Sequence, residues 1–238
     1  MSQKTKLVGL GAFFLFIITF VIEFISALSG IDAISDAGNY KSDLIILLIL
    51  AILASLVLIA NSVFGISKII KQSDRDAAFR RASDGIGGFG AYLAFSEIYT
   101  IILMNKIARD YGGTYKTPAS LIIMIVLTII AVILAVIGSI KKIQLTAAIR
   151  SILLAVAALI LFVVSIITIT QGDQKALTIV EYVFLMLSLL VFIVFAYFCY
   201  DEQKGNAKPS QNESEENNDF EENNYQSEDW FKDNNSNQ

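Results

Sequence analysis

Apolar residues in this chain run on in long unbroken stretches, and polar residues collect in the gaps between them. The stretches are Leu7–Leu28, Leu44–Ile66, Ile86–Met104, Ala119–Ile140, Ile152–Thr170 and Ala176–Tyr200. At a helical rise of ~1.5 Å per residue, each covers a hydrocarbon core of roughly 30 Å with modest tilt or local thinning. Continuous rather than alternating hydrophobicity predicts helices instead of barrel strands, because a helix satisfies its own backbone polar groups in lipid. The expected fold is therefore all-α, a polytopic bundle of six transmembrane helices in a lipid bilayer. The third stretch is the least regular, since it opens on Gly-Ile-Gly-Gly-Phe-Gly at 85–90 and contains Glu97; without it the chain has five spans. The first stretch follows Lys4 and Lys6 but is longer than the ~7–15 apolar residues of a signal peptide, which predicts an uncleaved helix.

Three carboxylates interrupt the apolar stretches: Glu23, Glu97 and Glu181. A charged side chain at a helix centre costs roughly 2.5 to 3.5 kcal/mol on insertion scales, so such residues face protein or water and often carry function. Counted along their helices, all three lie in the same half of the membrane, roughly 7–11 Å below its boundary. If helices one, three and six are neighbours, they form a carboxylate cluster able to hold a cation or relay protons. The alternative is that each glutamate separately bonds a neighbouring helix. Glu97 is the favoured site, because it is deepest and Ser96, Tyr99 and Thr100 surround it in sequence. Asn61 either reaches Glu97 from the second span or pins two helices together. The glycines satisfy the letter of the dinucleotide pattern G-x-G-x-x-G, but no strand precedes them. Close helix packing through Gly87 with Ala91 and Gly90 with Ala94 is the preferred reading, ahead of a hinge beside Glu97.

Charges in the gaps predict the orientation. One side carries Lys4, Lys6, Lys68, Lys71, Arg75, Arg80, Arg81, Lys141, Lys142 and Arg150, against Lys41, Lys106, Arg109, Lys116 and Lys175 on the other. Ten to five places both termini in the cytoplasm of a cell-membrane protein. Lys71 and Arg75 are one helical turn apart, which predicts that the second helix continues beyond the lipid. The basic residues between spans two and three read as plain positive-inside anchoring, ahead of a specific contact with anionic headgroups. A weak repeat relates Gly65–Ile70 to Gly138–Ile143, pairing spans two and three with four and five.

Composition changes abruptly after Tyr200, dividing the chain into a membrane domain, 1–200, and a tail, 201–238. The tail holds eleven acidic residues, three lysines and nine asparagines, with no leucine, isoleucine or valine. It cannot bury enough apolar surface to offset the entropy of ordering, and is expected to be a disordered acidic cytoplasmic tail. Its net charge of −8 leaves the membrane domain at +4, although the whole chain is −4. Phe220, Tyr225, Trp230 and Phe231 are spaced through it, a candidate motif for a soluble cytoplasmic partner.

Chemistry is sparse elsewhere. Histidine is absent and Cys199 is the only cysteine, so the commonest general base and the commonest metal sets are missing. Cys199 reads as a small apolar residue at a helix end. No catalytic or metal site, cofactor or nucleic-acid face is expected, and the chain does not read as an enzyme. Two functions remain. One is a small transporter, permease or channel-like subunit, alone or with other membrane subunits, with a cation or proton at Glu97, Glu23 and Glu181 near Asn61. The other is a scaffold or regulator recruiting a partner through its tail.

Overall fold

The computed structural model describes residues 1–31, 34, 37–72, 74–140, 146–170 and 176–206. Six long helices account for nearly all of them: α1 (Gln3–Ser29), α2 (Lys41–Gln72), α3 (Arg75–Asp110), α4 (Ala119–Ser139), α5 (Ala147–Thr170) and α6 (Ala176–Asn206). Each is long and apolar enough to cross a membrane, and no strand occurs among the described residues. The chain is an all-α polytopic membrane bundle. Its outside is as apolar as its inside: Ile49, Leu53 and Val57 of α2 and Ile123, Val126, Ile130 and Ile133 of α4 are exposed. Such a surface is a liability in water and is what lipid tails require.

The irregular third stretch crosses as α3, the longest helix at 36 residues. It is also the most buried span, at 44% against 17% for α2. α3 packs against α2, α4 and α5, and Phe89 brings it against Phe16 of α1. This central position explains its composition, because a helix surrounded by helices has little lipid to face and needs small residues where backbones approach. A Cβ at Gly85 would lie 3.1 Å from both Phe16 and Asn61, one at Gly87 3.3 Å from Ala135, and one at Gly90 2.8 Å from Val132. The glycines therefore serve close packing, and α3 runs through them without a break.

α1 supplies the other half of the core. Phe13, Phe16 and Phe20 recur at helical spacing and are fully buried, with Phe13 and Phe16 meeting Phe192 of α6 edge-on at 5.3 and 5.4 Å. Phe20 meets Phe89 of α3 at a tilt, with ring centroids 5.6 Å apart. Aromatic edges and faces attract in this arrangement and lock ring positions. Cys199 lies in the same buried core, consistent with its reading as an apolar residue.

Helix ends correct one expectation. α2 does continue past Ile66, but it stops at Gln72, and the Asp74 carboxylate then accepts the Ala77 N–H at 2.9 Å to cap α3. Lys71 and Arg75 thus fall on different helices, because a capping aspartate between them stops the turn that their spacing suggested. At this side Glu202 of α6 accepts from the Ser2 N–H at 2.7 Å and from the Thr5 hydroxyl, with Arg75 at 3.9 Å. The start of α1 and the end of α6 share a side of the bundle. On the opposite side Lys106 of α3 pairs with Asp43 of α2 at 2.7 Å, and Tyr40 donates to Asp110 at 2.8 Å. Lys141, Lys142 and Lys175, Ile143 of the second repeat, and the tail aromatics Phe220, Tyr225, Trp230 and Phe231 lie outside the described residues.

Candidate functional site

Helices one, three and six meet at the level of the glutamates. Burying the phenylalanine face of α1 against α3 and α6 turns Glu23 toward both helices. The Tyr92 hydroxyl of α3 donates to Glu23 Oε1 at 2.5 Å, and the Glu181 carboxyl of α6 lies within electrostatic reach of Glu23. Glu181 is only 7% exposed. Two ionised carboxylates offer acceptors alone and repel each other in an apolar setting. Beside the pair lies a cavity of about 300 Å³ with Glu23, Ser26, Gly30, Tyr92 and Ser96 in its wall.

Glu97 stands apart from this pair. It shares α3 with Tyr92 but emerges on another face, where Leu93, Ser96, Glu97 and Thr100 line a second cavity of about 480 Å³. Neither Glu23 nor Glu181 acts on it, and both of its carboxyl oxygens are shielded from solvent with no hydrogen-bond partner. Ser96 lies in the walls of both cavities. The three glutamates thus share a membrane level without forming one cluster, and no group of three or more acidic or cysteine residues capable of holding a metal occurs among the described residues.

Two of the side chains expected near Glu97 point elsewhere. The Tyr99 hydroxyl donates to Asp43 at 2.9 Å, joining the ion pair with Lys106, because position 99 faces α2. Asn61 donates to the Arg81 carbonyl at 2.8 Å and accepts from the Arg81 guanidinium at 3.4 Å. Asn61 therefore pins α2 to the near end of α3 and does not reach Glu97. Thr100 and Ser96 do remain with Glu97, the Thr100 hydroxyl donating to the Ser96 carbonyl at 2.8 Å.

Tyr92 and Tyr182 complete the site, and neither stands out in the sequence. Tyr182 of α6 and Thr168 of α5 lie in the wall of the Glu97 cavity, and Tyr182 is within electrostatic reach of all three carboxyls. A buried tyrosine hydroxyl needs a partner, and in spans otherwise made of aliphatic residues the partner must be another polar intruder. Applied to each tyrosine inside a span, that rule is the sequence signal that links Tyr92 to a glutamate.

Comparison of the chain with protein-family models, with curated proteins and with solved structures gives no match. The functional reading therefore rests on the site. What its geometry provides is a pair of neighbouring glutamates on α1 and α6, a tyrosine tying Glu23 to the central helix, and a separate cavity around an unpartnered carboxyl.

Proposed function

We propose that this chain is a small membrane transporter or permease-type subunit, in which the Glu23 and Glu181 pair carries a proton or a monovalent cation. The nearness of the two carboxyls supports the reading most directly. In an apolar bundle two adjacent negative charges repel, and among the described residues no cationic side chain lies in the cavity wall beside them to balance them. The pair is stable with one proton or one small cation between its oxygens, and exchange of that ion with the adjoining cavity is the elementary step of transport. Tyr92 keeps Glu23 oriented whether the pair is occupied or empty, since its hydroxyl donates to an oxygen that accepts in both states.

Reconstituted vesicles with an internal pH dye test this. Glu23→Gln and Glu181→Gln are each expected to reduce flux to that of protein-free vesicles, whereas removal of 201–238 leaves it intact. Unchanged flux in both glutamate variants, with loss of the cellular phenotype on tail removal, would favour partner recruitment through Phe220, Tyr225, Trp230 and Phe231.

We also propose a cell-membrane location with both termini cytoplasmic, on the strength of the lysine and arginine bias. In sealed cells the tail is then resistant to external protease and becomes sensitive once the cells are opened. Cleavage in sealed cells reverses the assignment and makes the glutamate level inward-facing.

A further inference from the structure

We propose that the cavity around Glu97 is a binding site for a small organic ammonium ion, separate from the carboxyl pair. The cavity forms where α3, α4, α5 and α6 meet. Leu93, Ser96, Glu97 and Thr100 follow helical spacing and give α3 one face toward it, while Leu121 and Met124 do the same from α4. Its volume of about 480 Å³ is far beyond a proton or a bare ion and lies within the roughly 300–1,000 Å³ typical of small-molecule pockets.

The chemistry of the wall selects the ligand. Glu97 presents two shielded oxygens with no partner, and among the described residues no lysine or arginine lines the cavity. A buried carboxylate in that state lacks its counter-charge, which a ligand cation can provide. A metal ion is a poor fit, since one carboxylate and a few hydroxyls give too few strong ligands, and hard cations take six or more oxygens. An ammonium group needs only three acceptors. Glu97 supplies one, and the hydroxyls of Ser96, Thr100 and Thr168 supply neutral oxygens around it. Leu93, Leu121 and Met124 then offer an apolar surface to a short hydrocarbon body. An inorganic cation has no use for that surface.

Calorimetric titration of the full-length protein in nanodiscs tests the site, with methyl-, butyl- and hexylammonium as probes and butan-1-ol as the neutral isostere. The measurement is made without a pH gradient, so it is independent of proton flux. Butylammonium should bind saturably, one per chain, with butan-1-ol showing no saturable binding, and Glu97→Gln should weaken it about tenfold or more. Three results would each overturn the proposal: no saturable binding of any probe, equal binding of the alcohol, or undiminished binding by a folded Glu97→Gln protein. Should that variant fail to fold, labelling of the native protein by a hydrophobic carbodiimide reads the same site by mass spectrometry. Butylammonium is expected to slow modification of Glu97 about fivefold or more, and an unchanged rate would equally overturn the assignment.

Discussion

Gly65→Ala will destabilise the bundle more than any other single methyl addition at a described glycine. A Cβ at this position of α2 would lie 2.5 Å from two ring carbons of Phe13 and 2.9 Å from a third. The ring cannot swing away, because Phe13 is fully buried and meets Phe192 edge-on at 5.3 Å, and Phe192 in turn meets Phe16 at 5.4 Å. Relief therefore requires α2 to retreat from α1, opening the contact along several turns. Overpacking of a dense core costs about 1–3 kcal/mol, and the rigid ring places this substitution at the upper end. Gly11→Ala is the internal control, since nothing lies within 4 Å of the new methyl and the substitution should be neutral or slightly stabilising. Unfolding of the purified proteins in a graded series of detergent mixtures measures both. Coincident transitions for Gly65→Ala and the native chain would show that α1 and α2 are not packed through this glycine.

The same contacts explain why the fold is more legible in the sequence than the site. Membrane spans are written as uninterrupted apolar length, so six helices follow from hydropathy, and even the glycine-rich α3 is recoverable once its glycines are read as contacts. Side-chain direction is not written that way. In a soluble helix the apolar stripe marks the inner face, but here lipid and core are equally apolar, and the periodicity that would orient each glutamate is lost. Polar sequence neighbours favour Glu97, yet Tyr99 turns to Asp43 and only Ser96 and Thr100 stay with Glu97. Glu23 and Glu181, lying at matching depths on α1 and α6, are the two that meet. Depth along a helix survives in the sequence, whereas rotation about its axis has to come from packing, here from the phenylalanine face of α1.

Reversing one charge of that pair should preserve the fold and abolish flux, while reversing both should prevent folding. In Glu181→Lys the ammonium lies beside Glu23, so opposite charges satisfy each other where two carboxylates would repel. Tyr92 still donates to Glu23, and α1, α3 and α6 remain joined. Proton flux is expected to fall to the level of empty vesicles, because a tethered cation occupies the place of the mobile one. Adding Glu23→Lys puts two ammonium groups together with no carboxylate among the described residues of the cavity wall to balance them. An uncompensated buried charge costs about 3–5 kcal/mol, a large part of the stability of a domain this size. The double variant should therefore fail to accumulate in membranes, although Glu181→Lys accumulates normally. The coupling between the two sites, measured as a double-mutant cycle of Glu23→Gln and Glu181→Gln on detergent unfolding, should exceed about 1 kcal/mol. Equal accumulation of the single and double variants would mean that Glu23 and Glu181 do not touch, and the shared proton would lose its structural basis.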